Sequence, residues 1–599
     1  MRFRIVVAAA LLVAGAPVLA HGAPRPATSK AEARAAWVAA RARAAHRLPV
    51  DPALLDAPVP VDSFDSAYLL RAGDLDGDHV MDLVDVRDHV VFDDVTGPAE
   101  TLRLEAHRGR DGKALWSLTL PTAYFVFPVF TTVGAKGANG FLALSFSAPG
   151  GDTDVAGGAA LVSDVTSYDA AGKSLWTSKS PGLAVGTLVS YQDVGYPAVG
   201  GIGNLVAGGG ADLLMLSYVT AAASDPAGTT EQTRMRMQLG VLDGATGVTS
   251  PLGQGFTSDS GFAYATTVGD LNNDKRDDVA AVVTASGAYA VSLVNTADGA
   301  VLGTPTGLPK GDILDVYEVD DVTGDGIADV VAAAQSFGFV FASSGEAPSP
   351  AQPPATVALI DGAKRKVAWS RPAGRVFEVG DVDRKRGGEL VLGSDTSDGA
   401  GFTVAAYNGA GKALWTATRR VKTADLNRYD ISSSWGSIGD AQGDGVADIG
   451  YGIVVAPYGA KIRRDEGTLD GRTGRMWRDP APDLAASRIA LDGRGIDAIG
   501  KTYAKGVLTL TAWRGNAPQR LWRTALAATG MGYLSVGALL DGDKCGDIVV
   551  NTATETSETS YVLSGSTGLP MWGLTRNGNA AGAVTHPTAR SHARYIHTC

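Results

Sequence analysis

The feature that most constrains this chain is a repeat. Two short phrases alternate along it. The first is GDLDGDHVMDLVDV at residues 73–86. It returns as GDLNNDKRDDVAAVV from Gly269, DDVTGDGIADVVAA from Asp320, GDVDRKRGGELVLG from Gly380 and GDAQGDGVADIGYG from Gly439. A shortened form, LLDGDKCGDIVV, starts at Leu539. The second phrase is a turn that leads into a tryptophan: RDGKALW ending at Trp116, AAGKSLW at Trp176, GAGKALW at Trp415, DGRTGRMW at Trp477 and GSTGLPMW at Trp572. Trp369 and Trp522 end looser versions, so seven of the ten tryptophans occupy one slot. Worn copies of the first phrase begin at Val133, Gly203 and Ala490 and fill the gaps, which makes nine units of roughly 50 to 70 residues.

Each unit reads as short apolar strands separated by turn residues, as at 213–216 and 279–283. The chain holds 76 glycines, and its acids are 52 aspartates against 11 glutamates. Aspartate favours turns and caps whereas glutamate favours helices, so a helical protein is excluded. A period of this size, with about four strands and a recurrent tryptophan, suits the blade of a β-propeller. The tryptophan then serves as a large apolar wedge between blades. The expectation is an all-β chain forming a single β-propeller of four-stranded blades over residues 61–575. Eight blades are favoured within a range of seven to nine, because propellers usually close with four to eight.

The flanks read differently. Residues 1–23 have the form of a secretory signal peptide: Arg2 and Arg4, an apolar run from Ile5 to Leu19, and small residues before cuts after Ala20 or Ala23. The run falls short of the ~20 residues a membrane span needs, and no later run is long enough. The reading is a secreted protein without a membrane span. Residues 24–60 are Ala/Arg-rich and then proline-punctuated, a short helical or linker segment, and 576–599 form a tail. A net charge of −11 supplies no basic stripe for phosphates, which excludes a nucleic-acid partner. The only cysteines, Cys545 and Cys599, are expected to pair as an exported chain allows; the alternative is a buried, unpaired Cys545 with a terminal free thiol.

The aspartate phrase carries the chemistry. Asp74, Asp76, Asp78 and Asp82 stand at positions 1, 3, 5 and 9 of a tight loop, with the Val80 carbonyl at position 7. Oxygens at alternate positions converge, as a hard cation such as Ca2+ requires. The same slots hold Asp270, Asn272, Asp274, the Arg276 carbonyl and Asp278; then Asp321, Thr323, Asp325, the Ile327 carbonyl and Asp329; then Asp440, Gln442, Asp444, the Val446 carbonyl and Asp448. About four calcium sites are therefore expected. The loops are not EF-hands, since position 12 is Asp85, Ala281, Ala332 or Tyr451 rather than glutamate, and the flanks are strand-like. Three further loops read as empty. Lys385 takes position 5 after Asp381, where its ammonium could replace the ion; Leu539 takes position 1 of the last loop; and Gly208 replaces the central acid before Asp212.

These phrases resemble FG-GAP/VCBS repeats, the blades of integrin-α-like propellers. That resemblance covers roughly residues 61–575 and implies calcium in the four loops. The tryptophan turns are also similar to quinoprotein-type propeller blades. No histidine lies between His107 and His586, no G-x-S-x-G elbow occurs, and there is no vicinal cysteine pair such as quinone-dependent dehydrogenases would show. No catalytic residue is assigned. The reading is an exported binding or adhesion module for a glycan or protein. The alternative is a calcium-dependent carbohydrate-active enzyme, a polysaccharide lyase or glycosidase, working with carboxylates alone.

Overall fold

The computed structural model describes residues 63–93, 97–123, 125–147, 161–179, 196–208, 210–224, 231–259, 263–285, 288–310, 313–335, 355–396, 401–421, 429–457, 463–477, 487–489, 491, 497–514, 519–528, 533–543, 545–553, 558–576 and 583–585. The signal peptide, the 24–60 segment and Cys599 lie outside them. All regular structure among the described residues is strand.

The chain is a β-propeller of nine blades, and the count of eight is corrected. Eight blades are antiparallel sheets of four strands in sequence order: residues 63–119, 125–179, 196–258, 263–303, 313–372, 375–420, 429–477 and 487–527. The ninth, residues 533–585, adds a short fifth strand, Ala583–Thr585. Every repeat unit, worn or intact, builds its own sheet. The expectation of eight rested on the usual closure of such folds, whereas the repeat itself numbered nine. Some strands run well past the apolar runs: Asp212–Ser224 pairs with Glu231–Leu242 out to Ser224 opposite Glu231, and Tyr429–Gly439 is the first strand of blade seven.

The second strand of each blade explains the apolar runs. Asp278–Ala285 is buried on both faces through its first six residues, so it cannot alternate as a one-sided strand does. Fourth strands lie half in solvent, as in Ser174–Lys179 and Ala114–Thr119, and keep the alternation.

The described residues divide into two compact units. One comprises those of Met1–Asp76, Val84–Ala106 and Leu115–Pro305; the other those of Gly77–Leu83, His107–Ala114 and Thr306–Cys599. In the first, the core lies between successive sheets: Leu102, Leu104, Val126, Phe141 and Tyr168 join blades one and two, and Phe141 stacks on Tyr168 with centroids 4.7 Å apart. Leu216, Leu239, Val279 and Val283 join blades three and four. In the second, Val391, Phe402, Trp435 and Tyr451 join blades six and seven, and Leu510, Trp522, Ile548 and Leu563 join blades eight and nine.

The tryptophan slot does more than wedge. Six of its seven indoles donate their N–H to a carbonyl in the turn between the third and fourth strands of another blade: Trp116 to Ala170 (2.7 Å), Trp176 to Gly244 (3.1 Å), Trp369 to Gly409 (3.1 Å), Trp415 to Gly471 (3.0 Å), Trp522 to Gly565 (2.7 Å) and Trp572 to Gly109 (2.7 Å). The glycine ending that turn leaves room for the ring. At Gly568 (φ 68°) a Cβ would stand 2.5 Å from Trp522 carbons. One repeated phrase therefore supplies both halves of each joint, the ring and the socket.

Candidate metal-binding loops

The aspartate phrase forms the loop between the first and second strands of its blade. The opening acid holds the loop's own backbone. Asp270 Oδ1 accepts from the N–H groups of Asn272 (3.2 Å) and Asp274 (3.1 Å), and Oδ2 accepts from Lys275 (2.7 Å). Asp321 accepts from Gly324, Asp325 and Gly326, and Asp440 from Gly443, Asp444 and Gly445, at 2.6 to 3.1 Å. At position 5, Oδ1 of Asp78, Asp274, Asp325 and Asp444 accepts from the N–H of Val80, Arg276, Ile327 and Val446. Such a curl puts positions 4 and 6 in the left-handed region. Glycine meets this at Gly324 and Gly326, whereas Asn273 and Lys275 adopt it with side chains, at φ 62° and 72°.

Position 9 opens the second strand and is fully buried: Asp82, Asp278, Asp329 and Asp448 are each 0% exposed. These acids act as struts. Asp448 Oδ2 accepts from Ala441 N–H (2.8 Å) in its loop, and Oδ1 from Gly471 N–H (2.9 Å) in the turn between the third and fourth strands. Asp329 does the same with Thr323 and Gly362, Asp212 with Leu205, Val206 and Gly244, and Asp547 with Leu540 and Gly565. Gly109 N–H donates to Asp82 Oδ1 and Leu271 N–H to Asp278 Oδ2. Burial raises these carboxyls: Asp212, Asp329 and Asp448 to about 6, and Asp278 and Asp547 to about 7. At Asp278 the charges of Asp274 and Asp270 add to the effect.

Position 3 varies. Asn272 Oδ1 accepts from Asp274 N–H, the Thr323 hydroxyl donates to Asp329 Oδ1 (3.3 Å), and Gln442 Nε2 donates to Asp448 Oδ1 (3.3 Å). In the first loop Asp76 is exposed, and the Asp74 carbonyl accepts from Asn139 Nδ2 (2.8 Å).

Two loops read as empty gather carboxylates nonetheless. Oxygens of Asp541, Asp543 and Asp547 lie within 4.8 Å of one another, as do those of Asp381, Asp383 and Glu389. In the latter the Lys385 ammonium bonds Asp383 Oδ2 at 2.7 Å, the ion replacement its position suggests, and holds Asp383 below the usual carboxylate range. The Asp440 loop carries a cation from farther away: Arg472 Nε donates to Asp444 Oδ2 at 2.8 Å. Pattern reading along the loop missed this residue because it sits in the neighbouring turn.

One acid pair lies across blades five and six. Asp320 N–H donates to Glu378 Oε2 (3.3 Å), and burial, followed by the charge of Asp320, raises the Glu378 carboxyl to about 7. Cys545 is fully buried and is not a free thiol. The Cys545–Cys599 pairing falls partly outside the described residues. No helix among the described residues is long and apolar enough to cross a membrane.

No family model matches the chain, and no curated protein matches it. Solved structures with some similarity include an exotype rhamnogalacturonan lyase, YesX, at 14% identity over 74% of this chain and 72% of that one, with a TM-score of 0.37. A Dos1 propeller matches at 9% identity over 72% and 87%, with a TM-score of 0.30. TolB from Acinetobacter baumannii matches at 13% identity over 67% and 79%, with a TM-score of 0.20.

Proposed function

We propose that the chain is an exported calcium-binding β-propeller that serves as a non-catalytic binding or adhesion module for a glycan or protein. The observation that carries calcium is the Asp270 loop. Its buried Asp278 is raised to about 7 by burial and by the charges of Asp274 and Asp270, and in the Asp74 loop oxygens of Asp74, Asp76 and Asp78 lie within 4.8 Å of one another. A divalent cation among these oxygens would cancel that repulsion, and each bonded carboxylate oxygen keeps a second lone pair for it. Asp270, Asn272, Asp274, the Arg276 carbonyl and Asp278 would hold the ion; the loops opening at Asp74 and Asp321 offer the same slots. The ion's role is rigidity, fixing the first-to-second-strand loops that face a ligand. Export follows from the leader sequence.

The second reading, a carbohydrate-active enzyme, rests on Glu378 and Asp320. A carboxyl kept near neutrality beside a second acid is the pairing that glycoside chemistry uses.

Elemental analysis and melting in calcium against chelator test the metal. Bound calcium with a higher Tm is expected; equal melts with no ion would refute it. A polysaccharide array with product release followed in parallel separates the two readings: retention without products supports the module, and products lost in Glu378→Gln support the enzyme.

A further inference from the structure

Every blade with a ninth-position strut places a turn beside its loop. The second residue of the turn donates its N–H to the strut (Gly244 to Asp212, Gly362 to Asp329, Gly471 to Asp448), so the third residue is delivered to the loop. That third slot is alanine in four such turns, Ala245, Ala297, Ala363 and Ala410, and in the turn of the strutless blade two, Ala171. A methyl group reaches nothing charged. In blades one and seven the slot is arginine, Arg110 and Arg472, and the bonds of Arg472 are the ones followed below.

The Arg472 guanidinium spans two blades. Nε donates to Asp444 Oδ2 (2.8 Å) and Nη2 to the Asp444 carbonyl (2.9 Å) in its own blade's loop. Nη1 reaches the carbonyls of Val382 (3.1 Å) and Asp381 (3.4 Å) in the loop of blade six. Both side chains of the ion pair are sheltered, at 20% and 31% exposure, so water screens it only in part. Asp444 spends Oδ2 on the guanidinium, and its Oδ1 takes the Val446 N–H. Gln442 turns its Nε2 toward Asp448 rather than offering an oxygen. A guanidinium is always charged, has five donors and no acceptor, and repels a second cation at this distance. The donor set of this loop therefore does not fit calcium, although its spacing does.

We infer that Arg472 is the resident cation of the Asp440 loop and fastens it to the Asp381 loop, so that a guanidinium holds the joint between blades six and seven where the loop spacing alone calls for calcium. The calcium half of this contrast rests on the reading above; the arginine half stands on its own bonds. With Lys385 on Asp383, the two neighbouring loops both carry internal cations.

The test uses the full chain as wild type, Arg472→Ala, Asp444→Asn and the double variant. In chelator, both single variants should melt lower, and the double variant should lose less than the sum of the two. Additive losses would overturn the inference. In millimolar calcium, Arg472→Ala gives the turn the alanine that five others carry and should bind one ion more per chain than wild type, by elemental analysis after desalting. An equal count in a calcium-loaded protein, or loss of an ion from Asp444→Asn alone, would place calcium in this loop beside the arginine and overturn it. If no variant holds calcium, the calcium reading fails, and the melts in chelator still decide the role of Arg472.

Discussion

Asp212→Asn isolates the ninth-position strut from any metal, because its loop carries Gly208 where the central acid would stand. Asp212 is 2% exposed, and its oxygens accept from three backbone N–H groups, those of Leu205 (2.9 Å), Val206 (2.7 Å) and Gly244 (2.8 Å). Two effects oppose each other. Burial disfavours the charge, the three donors favour it, and burial wins: the carboxyl rises from 3.8 to about 6. A raised acid binds a proton in the folded state that the unfolded chain has released. Its contribution to stability is thus full below about pH 4 and lost as pH rises through about 6. A gap of about two pH units corresponds to about 3 kcal/mol at pH 8. Asparagine does not titrate, but its amide N–H2 must face a backbone donor, at about 1 to 3 kcal/mol. The variant should therefore be the less stable protein at pH 4 and should gain about 3 kcal/mol on the wild type by pH 8. Melting at both pH values reads the crossover, and hydrogen exchange of the Leu213–Leu216 amides reads it locally. A difference that stays constant, or grows in favour of aspartate, would show that the three donors outweigh burial and would refute the reasoning.

Trp522→Phe removes the donor from the buried Gly565 carbonyl and should cost about 1 to 3 kcal/mol by chemical denaturation; an unchanged midpoint would reduce the indole to a wedge. Gly568→Ala puts a methyl 2.5 Å from the Trp522 ring at a left-handed φ and should disrupt the same joint, whereas Gly77→Ala, with nothing within 4 Å of the added Cβ, should cost only the backbone term of about 1 kcal/mol. Lys275→Gly relieves a left-handed side chain (φ 72°) and should raise stability by about 1 kcal/mol, read as a higher Tm. Thiol titration of the native protein should find none, with two appearing after denaturation in reductant; a reactive thiol before reduction would exclude the Cys545–Cys599 bond.

How much was legible follows from what each signal is made of. The strands and their nine-fold repetition are periodic along the chain, so Val279–Val283 and its counterparts announce themselves. The worn units fold because a blade needs its apolar second strand and its strut rather than a full set of loop acids. Blade eight keeps Asp497, whose Oδ2 accepts from Leu491 N–H, although its loop lacks the metal pattern. Blade two dispenses with the strut and closes on the turn at Gly134–Gly137. The role of position 9 was not legible, because spacing names a residue and not its partner. Asp448 occupies a ligand slot in the loop pattern, yet both of its oxygens serve backbone donors, and one of these, Gly471, lies a strand pair away. Lys385 could be read because it sits inside the loop it neutralises. Arg472 could not, since it stands 28 residues from Asp444 and reaches it only after the third strand has folded back. Position along the loop therefore reports how the backbone curls. Whether a cation is needed there depends on the turn that the fold brings alongside, and that turn can be read once the blade's strand order is known.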